Sequence, residues 1–185
     1  MSDTKNHSLH IGMRKIKSLL AILIGFLIWQ AVRLVFPDLE VHPIFIYIYG
    51  FIEIRDTSEK TKTLGIQRIK ATVIAIGVGL PMLFLRVFVL SHFVSATVVM
   101  LLDLVLLFAG TLIALQFAEK ADCGNMTGMA AVYFIILLIS HADDSRYLYA
   151  VLRASQTVIG VFVAWLVNVI LFPYPGKKMK DKEQG

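Results

Sequence analysis

An all-α integral membrane protein of six transmembrane helices, built as two inverted three-helix repeats with helices 2 and 5 short, is the fold this sequence predicts. Three observations lead there. Hydrophobic residues make up 57% of the 185-residue chain and the mean hydropathy is +0.74, outside the range of soluble domains. Several uncharged runs approach the ~20 residues that cross a ~30 Å hydrocarbon core. The stretch Arg68-Ile69-Lys70-Ala71-Thr72-Val73-Ile74-Ala75 returns 85 positions later as Arg153-Ala154-Ser155-Gln156-Thr157-Val158-Ile159-Gly160, and a repeat sets the architecture before any single element does.

The elements follow in order. Residues 1–17 form a polar, basic segment, and the apolar run after them carries no small-x-small cleavage site before Pro37, so it reads as a retained span. That first span is Ser18 to Phe36, interrupted near its far end by Gln30 and Arg33. Pro37-Asp38 opens a loop, since proline cannot continue a helix. Ile44 to Ile54 is a second apolar segment, rich in aromatics (Phe45, Tyr47, Tyr49, Phe51). Its 11 residues reach only about 17 Å at 1.5 Å each, short for a span. A charged connector, Arg55 to Lys62, leads to a third span from roughly Arg68 to Leu85, with Pro81 as its kink. The second half has a long span from Phe93 to Ala118 and a polar loop, Glu119 to Asn125. A short segment follows, Met126 to Ser140, and then a sixth span, Ala154 to Phe172, closed by Pro173 and Pro175. The membrane domain is thus 18–173, with repeat halves about 11–90 and 91–175, and 174–185 is a basic tail that reads as disordered.

Charge sets the orientation. With six spans and both termini on one side, fourteen of the eighteen Lys and Arg residues share that side; only Arg33, Arg86, Arg146 and Arg153 lie opposite. The positive-inside bias makes both termini cytoplasmic, and the net charge of +5 records orientation better than nucleic-acid binding. Three spans per half is odd, so the halves run through the membrane in opposite senses. Arg68 then stands at the cytoplasmic start of helix 3 and Arg153 at the external start of helix 6. Short hydrophobic segments in matching positions of inverted halves point to a transporter's central site, and helices 2 and 5 match that description; ordinary spans with snorkelling ends fit it equally. The single cysteine, Cys123, excludes an intramolecular disulfide and points to no metal or redox chemistry.

At these residues the chain resembles a known family. Gly65-x-x-Arg68-x-x-Ala71-Thr72-x-x-Ala75 is similar to the G-x-x-R-x-x-G-T-x-x-G signature of the aromatic acid exporter and fusaric acid resistance proteins. The opening Ile11-Gly12-Met13-Arg14-Lys15-Ile16-Lys17 resembles their basic lead into the first helix. The closing run from Thr157-Val158-Ile159-Gly160 through Val167-Asn168 to Phe172-Pro173 resembles their last span. The likeness covers residues 11–175. Ala71 and Ala75 depart from the family's usual glycines, and the larger cytoplasmic region of many members is absent, as it is from the compact six-span members. The resemblance implies export of organic anions, aromatic carboxylates in particular, across a bacterial plasma (inner) membrane, with no cofactor. Plant malate-conducting anion channels share the pattern distantly, so a channel stays open as an alternative.

The residues themselves supply candidates for that chemistry. Arg68, Thr72, Ala75 and Gly79 form one helical stripe, and Arg153, Thr157, Gly160, Ala164 and Asn168 form its counterpart. A cation, a hydroxyl and small residues offer an anion a charge, a donor and room, and the planar guanidinium matches a carboxylate at two points. Basic span ends also anchor at headgroups, as Lys70 is expected to do, and small stripes also pack helices. Tyr47 and Tyr49 of helix 2, with Tyr133 and Phe134 of helix 5, offer walls for an aromatic ring or an interfacial belt. Asp103 is an acid inside a span, where a charge costs at least ~2.5–3.5 kcal/mol. It is expected either to carry a coupled proton or to be held by Arg33, Gln30 or Asn168. His42, His92 and His141, with Asp143 and Asp144, form an external patch that reads as solvated or as pH- or metal-responsive.

Other classes are weighed beside transport. The chain has no HExxH, Gly-x-Ser-x-Gly or P-loop and no paired intramembrane acids, so no enzyme is expected. A non-transporting structural or assembly protein would not need Asp103. Expected partners are the lipid bilayer and small organic anions, with no nucleic acid; the small-residue stripes are compatible with a homodimer.

Overall fold

The computed structural model describes residues 13–37, 41–55, 57–92, 95–140 and 146–171. Among them the chain is all helix: α1 (Met13–Val35), α2 (Ile44–Ile52), α3 (Ser58–His92), α4 (Ala96–Lys120), α5 (Thr127–Ser140) and α6 (Arg146–Leu166). A 3₁₀ turn, Gly124–Met126, leads into α5, and a π-helical turn, Val167–Leu171, continues α6. Four helices, α1, α3, α4 and the last, are long and apolar enough to cross a membrane. The nine residues of α2 and fourteen of α5 reach only about 14 and 21 Å, so both are short, as expected.

Two helix starts differ from the expected ones. Helix α3 starts ten residues before Arg68 because Thr57 caps it: the Thr57 hydroxyl accepts the Lys60 amide at 3.2 Å. It then runs helically through Pro81 to His92. Helix α6 starts at Arg146, so Arg153 lies about two turns inside it. Neither arginine stands at a helix start. Hydropathy ends a helix at its charges; here the cap lets α3 run on through exposed Glu59, Lys60 and Lys62.

The buried stripes explain the packing. Ala21, Gly25 and Trp29 are buried in α1, and Leu106, Gly110 and Ala114, each 85 residues later, are buried in α4. A Cβ on Gly25 would meet Ile46 of α2 at 2.7 Å, and one on Gly110 would enter the Phe134 ring of α5. Thus α2 packs on α1 and α6 while α5 packs on α4 and α3, and α3 and α6 cross each other. The Cβ-less Gly65 of α3 makes that crossing close, against Val161 of α6. The described ends of the chain meet at one end of the bundle, where Lys17 Nζ donates to Asn168 Oδ1 at 3.0 Å.

Candidate functional site

The two repeated arginines converge on the aromatic face of α2. Phe45 and Tyr49 stand four residues apart, on one face, with ring centroids 5.5 Å apart. The Arg68 guanidinium lies over Tyr49, 4.7 Å from its centroid, and that of Arg153 lies over Phe45 at 3.3 Å. Tyr49 and Tyr133 of α5 pair through their hydroxyls. Charge over a π face is favourable, more so away from water.

Their other partners set the two arginines apart. Arg68, 4% exposed, forms an ion pair with Glu53, which is fully buried just beyond α2. Its Nη2 also reaches the Met126 sulfur at 3.4 Å. Half-buried Arg153 donates to the Tyr149 hydroxyl and stacks 4.7 Å above that ring. Among the described residues no carboxylate pairs with it. The repeat accounts for the difference: the position 85 residues after Glu53 is Leu138. In the sequence Glu53 reads as a polar end of the second apolar segment; the signal that singles it out is its mismatch with Leu138.

The threonines repeat one another. Thr72 donates its hydroxyl proton to the Arg68 carbonyl at 3.0 Å, and Thr157 to the Arg153 carbonyl at 2.9 Å. The donors expected for an anion are therefore engaged within their own helices. Both line a small cavity of about 20 Å³, with Phe45, Tyr133, Tyr149 and Arg153, room for about one water. The small stripe of α6 is filled as well, because a Cβ on Gly160 would meet Tyr49 at 2.8 Å and the Ile46 carbonyl oxygen at 3.0 Å. Small residues here let α2 lie directly on α6.

Three expected site residues lie elsewhere. Asn168, eleven residues from Thr157 and so about 16 Å along the helix, is a staple: it accepts from Lys17 and donates to the Arg55 carbonyl (3.1 Å) and the Thr61 hydroxyl (2.9 Å). Tyr47 faces away from Tyr49, since two residues turn a helix by about 200°. It lines a cleft of about 580 Å³ with Trp29, Gln30, Arg33 and His42 above the start of α2. Asp103 is not held by Arg33, Gln30 or Asn168. It takes Arg86 of α3 in a two-point pair, 2.6 and 2.9 Å, beside a groove of about 340 Å³ on the bundle's flank. Lys70 donates to the Ala121 carbonyl at 3.2 Å, on the exposed surface. His141, Asp143, Asp144 and the His92 side chain lie outside the described residues, so the external patch is represented by His42 alone.

Compared with family models, curated proteins and solved structures, the chain matches none.

Among the described residues no group of three His, Cys, Asp or Glu side chains stands close enough to hold a metal ion. What the centre offers is charge and aromatic surface. A cation with no carboxylate among the described residues sits between two rings, and a second cation, occupied by an acid, sits on the neighbouring ring. Such an arrangement can bind a small anion with an aromatic or apolar body, provided the short helices part to admit it.

Proposed function

We propose that this chain carries small organic anions, aromatic carboxylates in particular, outward across the plasma membrane. The observation that carries the reading is Arg153, stacked on Phe45 and Tyr149 with no carboxylate partner among the described residues. A guanidinium between aromatic rings suits a carboxylate at its fork and an arene beside it. The cleft above α2 has a volume typical of small-molecule sites, and its Arg33, His42, Trp29 and Tyr47 offer the same chemistry on the way in or out.

Two inverted three-helix repeats fit this role. Support comes from the burial pattern, since the buried positions Phe45, Ile46 and Tyr49 of α2 correspond to Ala130, Ala131 and Phe134 of α5, 85 residues on. The packing of α2 on α1 and α6 mirrors that of α5 on α4 and α3. In this reading the basic termini are cytoplasmic, the short helices meet near the midplane, and the cleft opens outward.

The test is release of labelled 4-hydroxybenzoate from proteoliposomes containing wild type or Arg153→Gln. Wild-type release well above empty liposomes, lost by tenfold or more in the variant, is expected. Equal release from both would remove Arg153 from the path, and no wild-type release would reject transport of this class. Release that follows voltage alone would identify a channel.

A further inference from the structure

Glu53 is the most confined acid among the described residues. It has no solvent exposure, and neither carboxylate oxygen has a hydrogen-bond donor in good geometry. Among the described residues its one strong partner is the Arg68 guanidinium, which is itself buried and has only a sulfur and a ring as further company. A buried pair of this kind is neutral as a unit, but removing the charge of one member strands the other at a cost of several kcal/mol. In the repeat, Arg153 occupies the position equivalent to Arg68, while Leu138 stands in place of the acid.

Resting on the transport reading above, we propose that Glu53 is an internal competitor for the transported anion: its carboxylate occupies Arg68, and protonation of Glu53 hands Arg68 to the anion. The proton and the anion then arrive together. Protonated Glu53 leaves a buried guanidinium uncompensated, and an incoming carboxylate restores neutrality. The route is short, because Arg153 and Arg68 lie over adjacent rings of one helix face. With Glu53 ionised, Arg68 is locked and the centre holds about a single water. The species that moves is anion plus proton, electrically neutral, so outward flow runs down the gradient of the whole acid.

Among the described residues, the charged and titratable groups acting on Glu53 are Arg68 of α3, Arg55 beside it in the chain, and Tyr49 one turn back in α2. Lys17 of α1 lies one link further, through Asn168 and the Arg55 carbonyl. None is a second acid that could replace Glu53 at Arg68. The sign follows: release should rise as pH falls, by at most about tenfold per unit for one proton. It should not respond to a clamped membrane voltage.

The experiment uses benzoate as the probe, with wild type and Glu53→Gln. Adding benzoate to weakly buffered, detergent-solubilised wild type should raise the pH, as one proton per chain is taken up; in E53Q this uptake should vanish. In proteoliposomes the wild-type pH dependence should flatten in E53Q to within about twofold. Absence of proton uptake by the wild type overturns the proposal even if E53Q does not fold. Uptake or a pH profile unchanged in a folded E53Q overturns it too. Wild type that takes up protons with benzoate but passes none upholds the Glu53 switch and rejects transport. Wild type that passes benzoate without proton uptake rejects the switch and keeps transport.

Discussion

Cys123 is fully buried in the turn after α4, where Asp122 and Gly124 take left-handed backbone angles, φ 54° and 53°. Burial pushes its thiol up from the ordinary 9.0; nearby Lys70 opposes the shift and Asp122 adds to it. The folded chain therefore keeps this proton to higher pH than the unfolded chain does. Stability loses nothing below the ordinary thiol range and declines as pH rises through it. Maleimide should label the native protein slowly at pH 7 and fully after denaturation; rapid native labelling would contradict the burial. Asp103→Asn supplies a second residue-scale prediction. Its two-point pair with Arg86 lies within a span, and losing it leaves that arginine without its carboxylate, so a lower thermal midpoint is expected. The pH profile of benzoate release should not change. A flattened profile would move proton coupling from Glu53 to Asp103. From sequence alone Asp103 was the conspicuous acid, because it interrupts a long apolar run. Glu53 sits where a run ends, and a polar residue there looks like an ordinary boundary until the fold carries it inward.

At the scale of the helix, glycines and one asparagine do the joining. Gly110→Leu would drive a side chain into the Phe134 ring and separate α4 from α5. Overpacking of this sort costs about 1–3 kcal/mol, and calorimetry in detergent should register it as a lower midpoint. A midpoint equal to wild type would mean that α5 does not press on α4 at this point. Asn168→Ala would leave the Lys17 ammonium, the Arg55 carbonyl and the Thr61 hydroxyl each short of one bond. A penalty of about 1–3 kcal/mol is expected, with anion binding by folded protein unchanged. Reduced benzoate affinity in a folded N168A would return Asn168 to the binding site. The stripe containing Asn168 was legible as a buried helix face, but its two ends serve different purposes. Position along a helix separates Arg153 from Asn168 by fifteen residues, and only neighbours tell which end meets the aromatic centre.

For the whole molecule, the contact between Lys17 and Asn168 joins the two described ends of the chain at one end of the bundle. An even number of crossings follows if the bundle spans a bilayer. Cysteines introduced singly at Ser2 and Gln184, in a Cys123→Ser background, should both resist a membrane-impermeant maleimide in intact cells. Both should react after permeabilisation. Labelling of one but not the other in intact cells would reject the even crossing. The short helices give the molecule its shape: α2 spans about half the hydrocarbon thickness, and the cleft of about 580 Å³ lies over its start. At the matching end of α5 the space is filled by Cys123, Met126, Ala71, Ala118 and Ala130. Among the described residues a cleft thus lies over one short helix, while the other is packed over.

The sequence by itself determined the helical class, the membrane-length runs, the brevity of helices 2 and 5 and the buried stripes of α3 and α6. Each follows from the periodicity and extent of apolar residues, which are local properties of a chain. Only the tertiary structure decided partners: Arg68 with Glu53, Asp103 with Arg86, Asn168 with Lys17, and Tyr47 turned away from Tyr49. Hydropathy measures a residue's preference for water or lipid. Which charge meets which depends on how six helices are set against one another, and that information lies in no single one of them.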